Sequence, residues 1–400
     1  MNRTLQFDNL QGTARAGDSP SGYDVVVIGA GQAGVSLSFF LREKGINHVL
    51  LEKERPFSAW HNRWDGFYAN TPNWMNILPG LEKHKFPGRN RSGFATKKEL
   101  VDYFENYLSQ VGAPVLTDQN VVEMRQSKSG SWAVHTSAGR VFETDNVVVC
   151  TGAMSKARIP GFSKTIGPGI VQLHSQDYRR PSDIRTKNVL IVGSGSSGVQ
   201  ISRELLDAQR FERVHLATSD VLVLPNHVLG LQIHRLLHLF GIFDIKVKSR
   251  LGRMMYGTLE LKGDPIRPPT PKDLAQTQGL KLHKRLTRAE DDTLFFEDGE
   301  ALQESDLTII WCTGFKGDYE WIKTAGSPLE LDERGYPVHT RGVLAEHPGL
   351  YFVGLRYQYT VASHDIYGVG NDAEFIANEI DRRQSGRLES NRSVASQSMN

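Results

Sequence analysis

Two glycine-rich turns carry the most specific chemistry in this sequence. Gly29-Ala30-Gly31-Gln32-Ala33-Gly34 follows the apolar run Tyr23 to Ile28, and Gly193-Ser194-Gly195-Ser196-Ser197-Gly198 follows Asn188 to Val192. In the pattern GxGxxG the first glycine permits a tight turn and the second lets backbone N–H groups approach a pyrophosphate. The third lets the helix pack closely on its strand. The start of that helix adds about half a positive charge toward the phosphates. Gly29, Gly31, Gln32, Ala33 and Gly34 are therefore candidate contacts for one dinucleotide, and Gly193, Gly195, Ser196, Ser197 and Gly198 for a second.

The strands after the two turns end differently. His48 to Leu51 ends at Glu52, with Lys53 beside it. A carboxylate there accepts from the hydroxyl pair of an adenosine ribose and repels a 2′-phosphate, which favours FAD or NAD. Arg213 to Leu216 runs instead into Ala217-Thr218-Ser219, which holds no carboxylate. Hydroxyls at Thr218 and Ser219 can hydrogen-bond a 2′-phosphate, so the second turn reads as an NADPH site rather than an NADH site. Lys246, Lys248, Arg250 or Arg253 could add charge there, or could form a solvated basic face.

Each turn belongs to a strand–turn–helix–strand unit of about 30 residues. In the first, the helix spans Val35 to Lys44; in the second, Gln200 to Leu206. Each unit later reaches an apolar strand ending in Cys-Thr-Gly, at Cys150-Thr151-Gly152 and Cys312-Thr313-Gly314. Thr151, Gly152, Thr313 and Gly314 join the candidate cofactor contacts. Between them, Thr96 with Glu99 forms a capping box for a helix to Val111, and Val121–Gln126, Trp132–Thr136 and Val141–Glu143 alternate as a small antiparallel meander.

These elements predict an α/β fold with two dinucleotide-binding (Rossmann-like) domains of the two-domain flavoprotein type. The FAD-binding domain is discontinuous, over 23–157 and 305–385, and an NADPH-binding domain is inserted at 158–304. The inserted domain carries a less patterned, partly helical stretch near 225–280, with a helix read over Val228 to Phe240. Residues 1–22 and 386–400 are polar and read as flexible tails.

Composition narrows the classes. With 47 Lys+Arg against 45 Asp+Glu over 400 residues, the net charge of +2 lacks the basic excess of a dedicated nucleic-acid binder. The 2 cysteines form no CxxC pair. His234 and His238 are spaced for one helix face near His227, but with no third ligand they read as a plain helix-face pair, and no metal is expected. With neither a signal-like apolar segment nor a membrane-length span, a cytoplasmic protein is expected. The oligomeric state stays open, a homodimer included.

From about Tyr23 to Arg383 the chain resembles the class B flavin-dependent monooxygenases, and within them bacterial relatives of the flavin-containing and indole-3-pyruvate monooxygenases. The resemblance rests on both glycine turns, on Cys-Thr-Gly where the family has Ala-Thr-Gly, and on the ending Gly349 to Gly354 with Gly368 to Ala373. It implies FAD at the first turn and NADPH at the second. It further implies hydride transfer between them, O2 activation as a flavin C4a-hydroperoxide, and delivery of one oxygen atom to a small organic substrate. The receiving centre would be nitrogen, sulfur or a carbonyl such as a 2-oxo acid.

Trp64 to Pro72 resembles the family's loop over the flavin. Asn70 falls where animal-type members carry an active-site asparagine and closer relatives a histidine; it is either that catalytic amide or a turn asparagine before Thr71-Pro72. By the same resemblance Trp60, Arg63 and Trp64 flank the flavin, and Val121 is counted among the FAD contacts. His174 keeps the histidine of the family fingerprint, although Pro168 and Ile170 replace its phenylalanine and glycine. It reads as catalytic or as a hinge between domains. A flavin reductase for a quinone-like acceptor and a non-catalytic redox sensor are the rival functions. A dithiol mechanism is disfavoured by two separate cysteines.

Overall fold

The computed structural model of the chain describes residues 22–81, 86–152 and 154–397. Two five-stranded sheets organise it, and both are parallel throughout. The first runs Leu350–Phe352, Asn146–Val149, Val25–Ile28, His48–Leu51, Val115–Leu116. The second runs Leu280–His283, Arg213–Ala217, Asn188–Val192, Leu307–Trp311, Val171–His174. In each, the strand entering a glycine turn lies between the next strand of its unit and the strand ending in Cys-Thr-Gly.

The sequence dictates this burial. Val25–Ile28 and Asn188–Val192 are near-continuous β-branched runs, the composition of strands covered on both faces. Alternate residues go to opposite layers. Val25 and Val27 pack with the helices Gln32–Glu43, Lys97–Val111 and the terminal helix, while Val26 and Ile28 pack with Met124, Trp132, Val134 and Phe142 of the meander. The second sheet repeats the plan. Val189 and Ile191 face the helix Ser196–Asp207, and Leu190 and Val192 face a second meander through Leu286, Leu294 and Phe296.

Two segments differ from expectation. The stretch Val228 to Phe240 is a hairpin, His227–Val228 against Leu231–Gln232, followed by a helix only over Ile233–Leu239. Leu229 and Gly230 at its tip both take positive φ, which breaks the helical pattern there. Leu229 and Leu239 are exposed rather than packed on their own domain. The terminal helix Val369–Gln397 runs on through residues read as a C-terminal tail, whereas the expected N-terminal tail lies outside the described residues up to Gly22.

Candidate functional site

At the first turn, Gly29 has φ +105, and a Cβ placed on it would lie 2.7 Å from the Cys150 carbonyl oxygen. A Cβ on Gly34 would lie 2.0 Å from the Gly29 oxygen. Both glycines are demanded by packing inside the protein. Gly31 is different: a Cβ there meets nothing within 4 Å. Its freedom is not needed by the fold, and the open space it faces is where a phosphate can approach backbone N–H groups. The second turn repeats all three roles. Gly193 has φ +108, and a Cβ on it would lie 2.5 Å from the Cys312 oxygen; a Cβ on Gly198 would lie 1.8 Å from the Gly193 oxygen, and one on Gly195 would meet nothing within 4 Å. Two cradles of the same shape are thus built by the same internal contacts.

The link from turn to neighbouring strand is made by different chemistry in the two units. In the first, the buried Glu52 carboxylate accepts from the Ala30 N–H at 2.9 Å and from the Glu54 N–H at 3.1 Å. In the second, the Ser194 hydroxyl donates to the Ser219 carbonyl and accepts from the Ser219 N–H, both at 3.1 Å. Ser194 occupies the place of Ala30, so a side chain of the turn replaces the carboxylate of the strand, and Ala217, Thr218 and Ser219 carry none. Thr218 donates its hydroxyl to the His283 carbonyl at 2.9 Å, leaving only its lone pairs outward; Ser219 is exposed. Lys246 and Lys248 are not there. Lys246 bridges to Thr360, and Lys248 donates to the His339 carbonyl at 3.3 Å.

One loop reaches both turns. Trp60 Nε1 donates to Gln32 Oε1 at 2.8 Å, and Gln32 Nε2 donates to the His364 carbonyl at 3.1 Å, which fixes the first residue of the first helix. Eight to ten residues after Trp60, the same loop is clasped by Gln200 of the second helix. Its Oε1 accepts from the Tyr68 N–H at 3.3 Å, and its Nε2 donates to the Tyr68 carbonyl at 3.1 Å and to Asn70 Oδ1 at 3.4 Å. Glu204 adds a further tie, accepting from the Gly66 N–H at 2.8 Å. Neither Gln200 nor Ser194 was evident as a site residue. The available signal was Gln200's position one helical turn beyond Ser196, a polar residue on a face that proves buried.

The remaining candidates divide. Arg63 stacks near the Trp60 and Phe67 rings with its Nε buried and unpartnered, and burial lowers its pKa to about 10. Its Nη2 donates to Met154 Sδ at 3.5 Å, which leaves Nε as the donor open to an anionic or carbonyl-bearing ligand. Trp64 is a correction: its ring is 1% exposed within the helix-side core of the second sheet, beside Tyr178, Ile184 and Ile201, so it offers no face to a cofactor. Lys53 is exposed and pairs with Glu54 at 3.7 Å. Val121 packs against the meander-side core, where the Gln119 N–H donates to the Glu52 carbonyl at 2.9 Å. Ala33 is buried in the helix-side core, and Ser196 and Ser197 line the second turn half-exposed. Thr151 is exposed beside Gly152 (φ +74), and Thr313 donates to the Arg158 carbonyl beside Gly314 (φ +82).

His174 is buried with both ring nitrogens engaged. Nε2 lies 3.1 Å from the Gly314 carbonyl and Nδ1 accepts from the Gln176 N–H at 3.2 Å, which assigns the neutral Nε2–H tautomer. Burial lowers its pKa. Cys150 and Cys312 are free thiols on different sheets; burial pushes Cys150 far up and Cys312 up to about 12, so neither is a thiolate nucleophile. Among the described residues no group of three or more metal-ligating side chains occurs, and no helix is long and apolar enough to cross a membrane.

Residues 26–225 match the family described as "Pyridine nucleotide-disulphide oxidoreductase". The chain is 34% identical over 359 residues to an uncharacterized CzcO-like oxidoreductase of Geobacillus kaustophilus, covering 89% of this chain and 98% of that one. It is 27% identical over 391 residues to an indole-3-pyruvate monooxygenase, YUCCA6, of Arabidopsis thaliana, covering 89% of each. Among solved structures, a flavin-containing monooxygenase from Stenotrophomonas maltophilia superposes with a TM-score of 0.68 at 23% identity, covering 90% of this chain and 98% of that chain. The chain therefore belongs to the pyridine nucleotide-disulphide oxidoreductase family and is an oxidoreductase.

Proposed function

We propose that the two parallel sheets are two dinucleotide-binding domains, the first holding FAD and the second NADPH, with the boundary read at 304/305 moved beyond Gly314 because Leu307–Trp311 pairs within the second sheet, and that the protein is a monooxygenase. The observation that carries this reading is the shared loop: Trp60 touches the helix that starts at one open cradle, while Tyr68 and Asn70 are clasped by the helix that starts at the other. A single short segment thereby spans two sites that must exchange a hydride.

Gly31 and Gly195 leave room for diphosphates, and Glu52 accepts from the adenosine ribose of FAD, repelling a 2′-phosphate. The carboxylate-free end at Thr218 and Ser219 suits NADPH. When bound, NADPH supplies the hydride and FAD supplies the electron transfer and O2 chemistry. Asn70, its Oδ1 held by Gln200, keeps Nδ2 free to donate into the seam, and its role is to orient the reacting groups. His174, with no free nitrogen, acts as a positioning joint between the second sheet and the Thr313-Gly314 turn. The two thiols, on different sheets and held protonated, argue against a dithiol mechanism. The plant relatives are named for a 2-oxo acid, indole-3-pyruvate, and a carbonyl centre of that class is the first to test, ahead of amines and sulfides.

The test supplies FAD-loaded protein with NADPH, isotopically labelled O2 and panels of 2-oxo acids, thioethers and primary amines. A product carrying one labelled oxygen atom per NADPH, from one panel, is the expected result. NADPH oxidation that yields only peroxide with every panel, alongside stoichiometric reduction of a quinone, would establish the reductase instead.

A further inference from the structure

The cavity beside the second cradle contains a charge with no counter-charge. It is small, about 10 Å³, the room for one water, and is bounded by Tyr68, Asn70, Ser196, Gln200 and Arg267. Arg267 enters from the insert itself, just after the helix Arg250–Lys262. Its guanidinium stacks on Phe94 at 3.4 Å from the ring centroid, donates to the Ala69 carbonyl at 3.1 Å and lies 3.4 Å from Asn226 Oδ1. Its Nε is buried without a partner. Among the described residues no carboxylate pairs with it, and burial alone lowers its pKa to about 10. A partly buried, unpaired guanidinium is unfavourable unless an anion completes it.

Ser196 supplies the other half of the site. It opens the twelve-residue helix Ser196–Asp207, directly after Gly195 and its open face. Free N–H groups and the positive end of a helix of that length therefore border the same cavity as the guanidinium. An anionic group lodged at this cradle lies between two donors, one from each side of the seam. Its planar fork suits phosphate oxygens, and its stacking on Phe94 holds the fork in place.

We propose that Arg267 is a binding residue for the diphosphate of the pyridine nucleotide, closing over the second glycine turn from the insert side. This rests on the reading of that turn as the NADPH site. Because the diphosphate is common to NADPH and NADH, Arg267 contributes to affinity without choosing between them. The choice is left to the strand end at Thr218 and Ser219. Arg267 also holds the Ala69 carbonyl, so an occupied cradle and a fixed Asn70 loop favour one another.

Titration of FAD-loaded protein with NADP+ and with NAD+, by calorimetry, tests this without turnover. Arg267→Gln is expected to weaken both nucleotides by the same factor, about ten- to hundredfold, the range of a charge-assisted hydrogen bond. Arg267→Lys keeps the charge but loses the fork, and is expected to fall between wild type and Gln. Inorganic diphosphate should compete with NADP+ on the wild type and lose that competition on Arg267→Gln. Unchanged affinity for both nucleotides overturns the proposal. Weakening of NADP+ alone also overturns it, since the charge would then serve the 2′-phosphate. Loss of bound FAD in both variants, with nucleotide affinity kept in the remaining holoprotein, would make Arg267 a clamp on the loop only. A wild type that binds neither nucleotide defeats the NADPH reading itself, and this proposal with it.

Discussion

Gly195 and Gly198 sit three residues apart in one turn, yet alanine should do opposite things at the two positions. At Gly198 the added carbon would lie 1.8 Å from the Gly193 oxygen and 2.9 Å from its carbonyl carbon, both rigid backbone atoms. Restoring ordinary contact requires the helix to move off the strand by more than an ångström. Overpacking of that kind costs about 1–3 kcal/mol or more, and the better helix propensity of alanine returns at most about 1 kcal/mol. We expect a net loss of about 2 kcal/mol, a fall in Tm of about 4–8 °C for a domain of this size. At Gly195 the backbone is ordinary for alanine, with φ −68 and ψ −177, and the methyl meets nothing. Tm should hold within about 2 °C, since the only change is a cap residue worth a few tenths of a kcal/mol. The methyl would instead stand where the diphosphate approaches. Losing one charge-assisted backbone contact, about 1.5–3 kcal/mol, raises the Kd for NADP+ roughly ten- to hundredfold. Thermal melts by circular dichroism and NADP+ titrations on FAD-loaded protein read the two effects separately. Wild-type NADP+ affinity in Gly195→Ala would refute the cradle, and a wild-type melt in Gly198→Ala would refute the close-approach argument.

Asn70→Ala should leave NADPH-driven flavin reduction at its wild-type rate but raise peroxide released per NADPH by about fivefold, the worth of one neutral hydrogen bond near 1 kcal/mol; peroxide and NADPH are measured in the same cuvette, and an unchanged ratio makes Asn70 a turn residue. Trp64→Ala should lower stability by about 3–5 kcal/mol through the cavity left in the second core, while the visible flavin spectrum stays that of wild type; a shifted spectrum would return Trp64 to the cofactor. His215 is 1% exposed, against His283 and Glu304, and burial followed by the charge of His283 lowers its pKa from 6.5 to about 4. The unfolded chain therefore binds the extra proton between those values, so stability is full above about pH 6.5 and falls on acidification toward pH 4, by on the order of 3 kcal/mol. Melts from pH 7.5 to 4.5 should be shallower for His215→Gln than for wild type, and parallel curves would refute this.

What the sequence made legible was whatever a local pattern must satisfy by itself. Gly29, Gly34, Gly193 and Gly198 are held by contacts within their own units, so their spacing carries the geometry with it. The Thr96–Glu99 capping box is equally local and starts the helix Lys97–Val111 as read. Trp64 misled because an aromatic in a ligand-binding loop and an aromatic anchoring that loop look alike in one dimension. Only the packing against Ile184 and Ile201, far along the chain, distinguishes them. Arg267 and Gln200 were illegible for the same reason. Each belongs to the inserted half and acts on Tyr68–Asn70, a partnership across some 130 to 200 residues that no spacing rule encodes.

The two cradles also show where selectivity is built. Their glycines are interchangeable in role, so neither turn distinguishes one dinucleotide from another. The distinction arises one step away, in how the turn is tied to the next strand. A carboxylate makes that tie in the first unit and is buried there, where, on the proposed reading, it would meet the ribose and repel a 2′-phosphate. A serine of the turn makes it in the second, which leaves no carboxylate at Thr218 or Ser219. Removing a repulsion is enough to admit a 2′-phosphate but not to prefer it. Preference needs a cation near Thr218, and Lys284 and Arg285 follow directly on His283, whose carbonyl already takes both the Thr218 N–H and its hydroxyl. Lys284→Ala should accordingly weaken NADP+ and leave NAD+ unchanged, the opposite of Arg267→Gln, which weakens both. Equal loss of the two nucleotides on Lys284→Ala would mean that the second site gains its phosphate preference elsewhere.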